Sequence, residues 1–207
     1  MKHALINGHP SNKSFNASIA AAYEAAVRAA GDEIVVRDLY DMNFEPRLSN
    51  SEVPRPDGFF PAADAARERE IIGGADVFAF VYPLWFYAPP AIVLGYIQRV
   101  FGMGFGYGEA AAGANARLLT GKRLIVFTSS GAPTQWMMGE GGWEAVRNIF
   151  IDHFAQVCGI EIVDHVHFGR VTPGMRADAV DECLEAVGRA VARIRRDEAC
   201  AMRREAS

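Results

Sequence analysis

Short runs of apolar residues alternate along the chain with longer segments in which apolar residues recur every three or four positions. Short apolar runs predict buried strands, and the longer spacing predicts amphipathic helices. The predicted strands are 3–7, 33–38, 76–81, 123–128 and 160–167. The predicted helices are 15–30, 61–72, 89–101, 142–158 and 177–196.

This regular alternation predicts an α/β fold, a doubly wound parallel sheet with helices on both faces. Five strands favour the flavodoxin-like order 2-1-3-4-5. In that order the loops after Asn7, Val81 and Thr128 converge on one crevice at the carboxyl ends of the strands, where such sheets bind ligands. We expect a single domain over residues 1–207, with long irregular segments at 39–60 and 102–121.

Composition narrows the classes of function. Hydrophobic residues make up 50% of the chain, and the formal net charge of −4 offers no dense basic surface for a nucleic-acid partner. Three widely spaced cysteines without a Cys-x-x-Cys motif argue against a disulfide framework or a zinc site, so no bound metal is expected. The first residues lack a secretory signal and no apolar run is long enough for a membrane span, so we expect a cytoplasmic protein without membrane insertion.

An aromatic and proline-rich segment, 82–90, directly follows the third predicted strand. It contains Trp85, Phe86 and Tyr87, and such rings at the end of a strand offer a surface for a planar apolar ligand. The same rings are equally suited to filling a core beside a turn. Taken alone, the segment leaves both interpretations open.

The loop after the first predicted strand, 8–16, is rich in hydroxyl and amide groups and leads into a helix. Free backbone N–H groups at the helix start, with His9, Ser14 and Asn16, are suited to hold a phosphate. The loop contains neither a P-loop motif nor a Gly-x-Gly-x-x-Gly motif. The alternative is that Ser14 only caps the helix.

The loop after the fourth predicted strand, 128–133, consists of small residues whose backbone amides can approach a ligand closely. It is suited to hydrogen-bonding the edge of a flat heterocycle, although small polar residues are also common in ordinary connections. Phosphate capture, an aromatic wall and an amide-lined edge in one crevice describe a flavin mononucleotide site.

Several groups of residues, in order along most of the chain, carry a resemblance to a known family. They are Gly8-His9-Pro10 with Ser14-Phe15-Asn16; Asp38-Leu39-Tyr40 followed by Met42-Asn43-Phe44-Glu45-Pro46; the segment from Tyr82 through Gly95 with Arg99-Val100-Phe101; and Gly104-Phe105-Gly106-Tyr107-Gly108. They resemble the flavodoxin-like NAD(P)H:quinone oxidoreductases, with the related bacterial drug-activity modulators and the ancillary flavoproteins of potassium-efflux systems.

The resemblance implies a homodimeric flavoenzyme that takes hydride from NADH or NADPH onto a flavin, with FAD favoured over FMN, and then reduces a quinone. It implies that the flavin itself, rather than a catalytic side chain, carries the reaction. The matching flavin-binding positions are His9, Ser14, Phe15 and Asn16 in the phosphate and ribityl loop, Pro83, Leu84, Trp85, Phe86 and Tyr87 in the isoalloxazine wall, and Ser129, Ser130, Gly131 and Ala132 at the amide-rich edge. Tyr107 matches a tyrosine of the substrate pocket at the dimer interface.

The sequence departs from the animal enzymes of this family at two places. Those enzymes carry a Tyr and a His after the edge loop as a charge relay to the flavin, and the segment 134–143 contains neither. We expect backbone amides of Ser130 to Ala132 to stabilise the reduced flavin instead, with Trp136 or Gln135 closing the pocket. Glu109 stands where a second pocket tyrosine is expected.

Two other functions remain open from the sequence. One is a flavodoxin-type electron carrier that works through a protein partner, and the other is a regulatory flavoprotein subunit of a membrane transporter. The choice between NADH and NADPH and the identity of the acceptor are not determined either. His165 and His167 alternate on one strand face, and we interpret them as a structural pair rather than as metal ligands.

Overall fold

The computed structural model describes residues 1–53, 55, 58–109, 115–139 and 141–205. Within them, parallel strands form a five-stranded sheet in the order β2-β1-β3-β6-β7. Its strands are β1 (Lys2–Asn7), β2 (Glu33–Asp38), β3 (Val77–Pro83), β6 (Arg123–Ser129) and β7 (Glu161–Phe168). The remaining two strands, β4 (Tyr107–Glu109) and β5 (Asn115–Arg117), pair as an antiparallel hairpin.

The doubly wound parallel sheet is therefore confirmed. The predicted order 2-1-3-4-5 differs in numbering, because the hairpin lies between the third and fourth strands of the sheet along the chain. The hairpin falls in the segment 102–121, which the sequence left irregular. Strands of three residues give too short an alternation to be recognised.

Helices cover both faces of the sheet. They are α1 (Phe15–Ala29), α2 (Ala63–Ile72), α3 (Ala91–Val100), α4 (Thr134–Gly139), α5 (Gly142–Val146), a π-helix (Arg147–Asp152), α6 (His153–Cys158) and α7 (Ala177–Glu205), with a short 3-10 helix at Asn50–Glu52. One core lies under α1 and α7, and a second lies under α2, α3 and α6. The predicted helix 142–158 is thus divided by a π-helical stretch, and α4 was not predicted.

The irregular segment 39–60 is tied to α3 by buried charges. The guanidinium of Arg99 donates to Glu52 at 3.0 Å, to Asp64 at 2.6 Å and to the carbonyl oxygen of Glu45. Arg99 and Glu52 are almost completely buried, so removing Arg99 would leave Glu52 as a buried charge without its ion-pair partner.

Two glycines let the backbone approach α3 closely. A Cβ on Gly8 would lie 2.2 Å from Cγ2 of Val93, and a Cβ on Gly95 would lie 2.2 Å from the carbonyl oxygen of Pro46. Any side chain at these positions would push α3 away from the loops it covers. The loop after β1 is thereby held directly against this helix.

A β-bulge in β7 decides which side chains face which core. Leu124 pairs with Ile162, but Ile125 pairs with Asp164, so Val163 has no opposite residue on β6. Because side chains alternate along a strand, one extra residue moves all later side chains to the other face. His165 and His167 therefore lie beside Val126 and Thr128, on the side of α5.

In the described part of the chain, no helix combines the length and the apolar character needed to cross a membrane.

Candidate functional site

The three loops predicted to converge do meet at the carboxyl ends of β1, β3 and β6. The amide of Gly8 donates to the carbonyl oxygen of Val81 at 2.9 Å, and the amide of Leu84 donates to that of Ser129 at 2.7 Å. Between the loops lies a cavity of about 200 Å³. It is lined by His9, Phe15, Asn16, Pro83, Leu84, Trp85, Ser129, Ser130, Gly131 and Val171. We call this space the crevice; of its lining residues, the sequence analysis missed only Val171, which follows β7.

The first loop presents hydrogen-bond donors at the start of α1. Ser14 is the N-cap, and its hydroxyl oxygen accepts the amide of Ala17 at 3.1 Å. The amides of Phe15 and Asn16 find no acceptor among the described residues. His9 is fixed through Nδ1, which lies 3.0 Å from the nitrogen of Ser11, so Nε2 is left to contact a ligand. The capping role of Ser14 and an anion site at the same helix start are therefore compatible.

Asn16 joins the first loop to the third. It is buried, and its Oδ1 accepts the hydroxyl of Ser129 at 2.6 Å. Because this bond uses the oxygen, the amide group Nδ2 remains available as a donor at the crevice. The two loops are thus held at a fixed spacing by side chains rather than by the sheet alone.

The aromatic segment turns on itself immediately after β3. Trp85 and Ala88 exchange two backbone hydrogen bonds of 3.0 Å, and the two residues between them, Phe86 and Tyr87, have φ of 54° and 58°. Two consecutive positive φ values define a type I′ turn, which normally carries Asn or Gly. A bulky residue held at positive φ raises the free energy of the folded state by about 1–3 kcal/mol. Strain of this kind persists where the surrounding structure enforces it, and it is concentrated at functional sites.

The turn divides the predicted aromatic wall between two places. Pro83, Leu84 and Trp85 line the crevice. Phe86 is fully exposed, and with Tyr87 it lines a separate groove of about 370 Å³ on the far side of the turn. The structure thus does not bring Phe86 and Tyr87 into the crevice, and their predicted contact with a flavin stays a prediction.

The edge loop after β6 offers fewer free amides than expected. The amide of Ser130 donates to the carbonyl oxygen of Phe168 at 2.9 Å, so it continues the sheet and is not available to a ligand. This corrects the expectation that the amides of Ser130 to Ala132 act together. The amides of Gly131 and Ala132 find no acceptor among the described residues. Ala132 and Ser14 adjoin the lining of the crevice without being part of it.

Tyr107 and Trp136, the two predicted substrate contacts, lie outside the crevice. Tyr107 begins β4 and lines a groove of about 830 Å³ beside α3 and α6. Trp136 is on α4, and 65% of its surface is exposed. Within this one chain neither residue meets the crevice, so their roles depend on a second subunit or a bound ligand.

A histidine pair behind the edge loop had only a structural interpretation. The hydroxyl oxygen of Thr128 lies 2.8 Å from Nε2 of His165 and 2.9 Å from Nδ1 of His167. Nε2 of His167 lies 3.1 Å from the hydroxyl of Ser130, which lines the crevice. In the residues that the structure covers, no third metal-binding side chain joins His165 and His167 in a cluster. The sequence could not reveal the pair's link to Ser130, because that link depends on the bulge in β7.

Comparison with known proteins places these features in a family. A family described as having a flavodoxin-like fold matches residues 1–191. An uncharacterised NAD(P)H oxidoreductase of Haemophilus influenzae is 33% identical over 172 residues, which are 83% of this chain and 85% of that protein. NAD(P)H dehydrogenase [quinone] 1 of Cavia porcellus is 28% identical over 151 residues. The match covers 65% of this chain but only about half, 55%, of the length of that protein.

Among solved structures, an NAD(P)H:quinone oxidoreductase from Methanothermobacter marburgensis superimposes with a TM-score of 0.82. It is 29% identical, and the match covers 92% of this chain and 95% of that one. An FMN-dependent NADH-azoreductase from Bacillus anthracis shares the fold at 16% identity, with a TM-score of 0.70 and coverage of 93% and 98%. The chain therefore belongs to the flavodoxin-like family, and the resemblance to NAD(P)H:quinone oxidoreductases predicted from its motifs is confirmed.

Proposed function

We propose that this protein is a flavin-dependent two-electron oxidoreductase that transfers hydride from NADH or NADPH to quinones or similar acceptors. The observation that carries the proposal is the composition of the crevice. Donors at a helix start form one end of it, an indole and two apolar residues form its wall, and a small-residue loop forms its edge. A phosphate-bearing, flat, polar-edged ligand matches all three parts.

The residues present fit a flavin. The backbone amides of Phe15 and Asn16, the Asn16 side chain and Nε2 of His9 would hold phosphate and ribityl oxygens. Trp85 and Leu84 would face the ring system, and the amides of Gly131 and Ala132 would meet its polar edge. When bound, the flavin accepts two electrons as hydride and passes them on, so the protein needs to bind, orient and shield rather than to supply a catalytic side chain.

We also infer that the flavin is FAD rather than FMN. A second cavity of about 270 Å³ lies beyond the edge loop and is lined by Pro133, Thr134, Gln135, Gly169 and Arg170. A space with a cation next to the crevice supports a cofactor longer than a mononucleotide. The mass of the cofactor released from purified protein distinguishes the two.

We also propose a homodimer that pairs through α3 and the π-helix. Most of the large apolar side chains of α3 do not face outward: Ile92, Tyr96 and Val100 are buried in the core of the chain itself, as is Phe101 directly after the helix. Leu94 remains partly exposed at both grooves, and Ile149 of the π-helix beside it is 78% exposed. Both side chains line the two neighbouring grooves, and exposed apolar side chains at such grooves support a partner. A second subunit would also cover Tyr107, in keeping with its predicted role.

The decisive experiment is anaerobic reduction of the flavin-loaded protein by NADH and by NADPH, followed by reoxidation with a quinone. The proposal expects rapid bleaching of the flavin by at least one nucleotide and full recovery of the spectrum by a stoichiometric amount of quinone. Reduction only by an added reductase protein would favour the electron carrier. Reduction without quinone turnover, together with co-purification of a transporter, would favour the regulatory subunit.

A further inference from the structure

Four side chains form a continuous line of hydrogen bonds from the crevice into the protein. Ser130 lines the crevice, and its hydroxyl lies 3.1 Å from Nε2 of His167. The hydroxyl of Thr128 lies 2.9 Å from Nδ1 of His167 and 2.8 Å from Nε2 of His165. The line ends at Nδ1 of His165, which is buried and has no hydrogen-bond partner among the described residues. We call these four residues the donor chain.

The surroundings of the donor chain keep both histidines neutral. The indole of Trp143 stacks on His165 with ring centres 4.5 Å apart and an angle of 16° between the planes. Burial lowers the pKa of His165 to about 3, and the positive charge of Arg147 contributes to this lowering. Burial alone lowers the pKa of His167 to about 4. A neutral imidazole has one N–H donor and one bare nitrogen.

Neutral rings restrict the direction of every bond in the donor chain. The hydroxyl of Ser130 also lies 3.0 Å from the carbonyl oxygen of Ala132, which can only accept. If Ser130 donates there, its oxygen accepts from Nε2 of His167, so Nδ1 of His167 is bare and accepts the hydroxyl of Thr128. The oxygen of Thr128 then accepts from Nε2 of His165.

In the reverse direction, Ser130 would donate to His167 and the bond to Ala132 would be lost. Nδ1 of His165 would then also carry a buried hydrogen without an acceptor. The first arrangement makes one more hydrogen bond and buries a bare nitrogen instead of an unsatisfied N–H group. It is therefore the favoured one, and in it every donor points toward the crevice.

We propose that the donor chain is a positioning device of the crevice: through Ser130 it fixes the edge loop so that the amides of Gly131 and Ala132 face a ligand that gains negative charge. His167 acts here as a positioning residue, since it touches Ser130 and not the crevice. The proposal rests on the proposed flavin site for its effect, but the direction of the hydrogen bonds is a property of the protein alone.

Nitrogen NMR on the cofactor-free protein tests that direction. Both His165 and His167 are expected as neutral Nε2–H tautomers from pH 6 to 8, with each signal assigned by its loss in the single variants His165→Gln and His167→Gln. A charged ring or an Nδ1–H tautomer at His167 would overturn the proposal. Because this measurement uses no flavin, it stands even if the proposed function fails.

The midpoint potential of the bound flavin tests the effect on the crevice. His167→Leu removes the donor to Ser130, and the affinity for the reduced relative to the oxidised flavin should fall by about 3- to 10-fold, or about 15–30 mV for a two-electron couple. His167→Gln keeps an N–H group within reach of Ser130 and should restore most of the potential. Ser130→Ala should lower the potential by a similar amount.

A double variant decides whether His167 acts through Ser130. In the Ser130→Ala background, His167→Leu should cause no further shift, because the hydroxyl it supports is already absent. Equal shifts in both backgrounds, or equal effects of the Leu and Gln variants, would overturn the positioning role. If His167→Leu does not fold, His165→Phe takes its place, since it also interrupts the chain and should lower the potential by a smaller amount.

Discussion

The hydrogen bond between Asn16 and Ser129 allows the binding and structural roles of the first loop to be separated. Asn16→Ala removes a 2.6 Å bond between buried groups and leaves the hydroxyl of Ser129 without its acceptor. A loss of this kind costs about 1–3 kcal/mol of the free energy of unfolding, which is a fall of about 2–12 °C in Tm for a chain of this size. Loss of the Asn16 amide should also weaken flavin binding by about 10- to 100-fold.

Asn16→Asp provides the matched comparison. The carboxylate still accepts the Ser129 hydroxyl, and the start of α1 favours a negative charge, which offsets part of the cost of burying that charge. The cofactor-free protein should therefore lose no more stability than Asn16→Ala. The charge of the carboxylate faces the predicted phosphate position, so flavin affinity should fall at least about 10-fold. Urea unfolding and flavin fluorescence titration measure the two quantities.

Ser129→Ala is the control, because it breaks the same bond from the other side and leaves Asn16 in place. It should lower stability with a smaller effect on affinity than Asn16→Ala. Wild-type flavin affinity in Asn16→Asp would refute the assignment of the first loop to a phosphate.

Four further outcomes are expected. Phe86→Asn places a residue that tolerates positive φ in the strained turn, so thermal unfolding should show a gain of about 1 kcal/mol while quinone turnover falls; a loss of stability would contradict the strain. Leu94→Asp puts a charge on the apolar surface beside α3, and light scattering should then report a monomer where the wild type is a dimer. Burial lowers the pKa of His3 to about 4, and it lowers the pKa values of His165 and His167 in the same way. Below pH of about 6.5, the histidine pKa in the unfolded chain, the unfolded chain binds more protons, so the folded state loses stability as pH falls. Urea unfolding should show a loss of about 5–6 kcal/mol between pH 7 and pH 5, and a flat profile would contradict burial of the neutral rings. The two histidines of the donor chain stay neutral between about pH 6 and 8, so the hydride-transfer rate at saturating nicotinamide should be nearly constant over that range. A single-proton step that persists in His9→Asn would contradict this, because it would require another acid-base residue.

The sheet and the crevice were predictable because each depends on local patterns. Each central strand is a nearly continuous apolar run, as buried parallel strands require, and β3 is buried over its full length. The order of such strands then brings three loops together whatever their individual sequences. Nine of the ten residues that line the crevice were identified for this reason.

The features that sequence reasoning missed depend on geometry that apolar spacing does not determine. The spacing within 142–158 fits an uninterrupted helix, and it does not distinguish a π-helical stretch from α-helix. The segment 82–90 shows its aromatic residues but not the type I′ turn that sends Trp85 and Phe86 to opposite sides. The amide of Ser130 was assigned to a ligand because its pairing with Phe168 depends on the register of β7.

The bulge in β7 decides on which face of the sheet each later residue of this strand lies. His165 and His167 face Thr128 because β7 has one residue more between Ile162 and His167 than β6 has between Leu124 and Thr128. The bulge places both Val163 and Asp164 on the side of α7, so loss of Val163 alone would restore a regular strand and leave both histidines facing Thr128. Pairing of the same residues without the bulge would instead turn Asp164 and Val166 toward Thr128. Chains that keep both histidines but pair this strand without the bulge would have the same composition at this position and a different crevice.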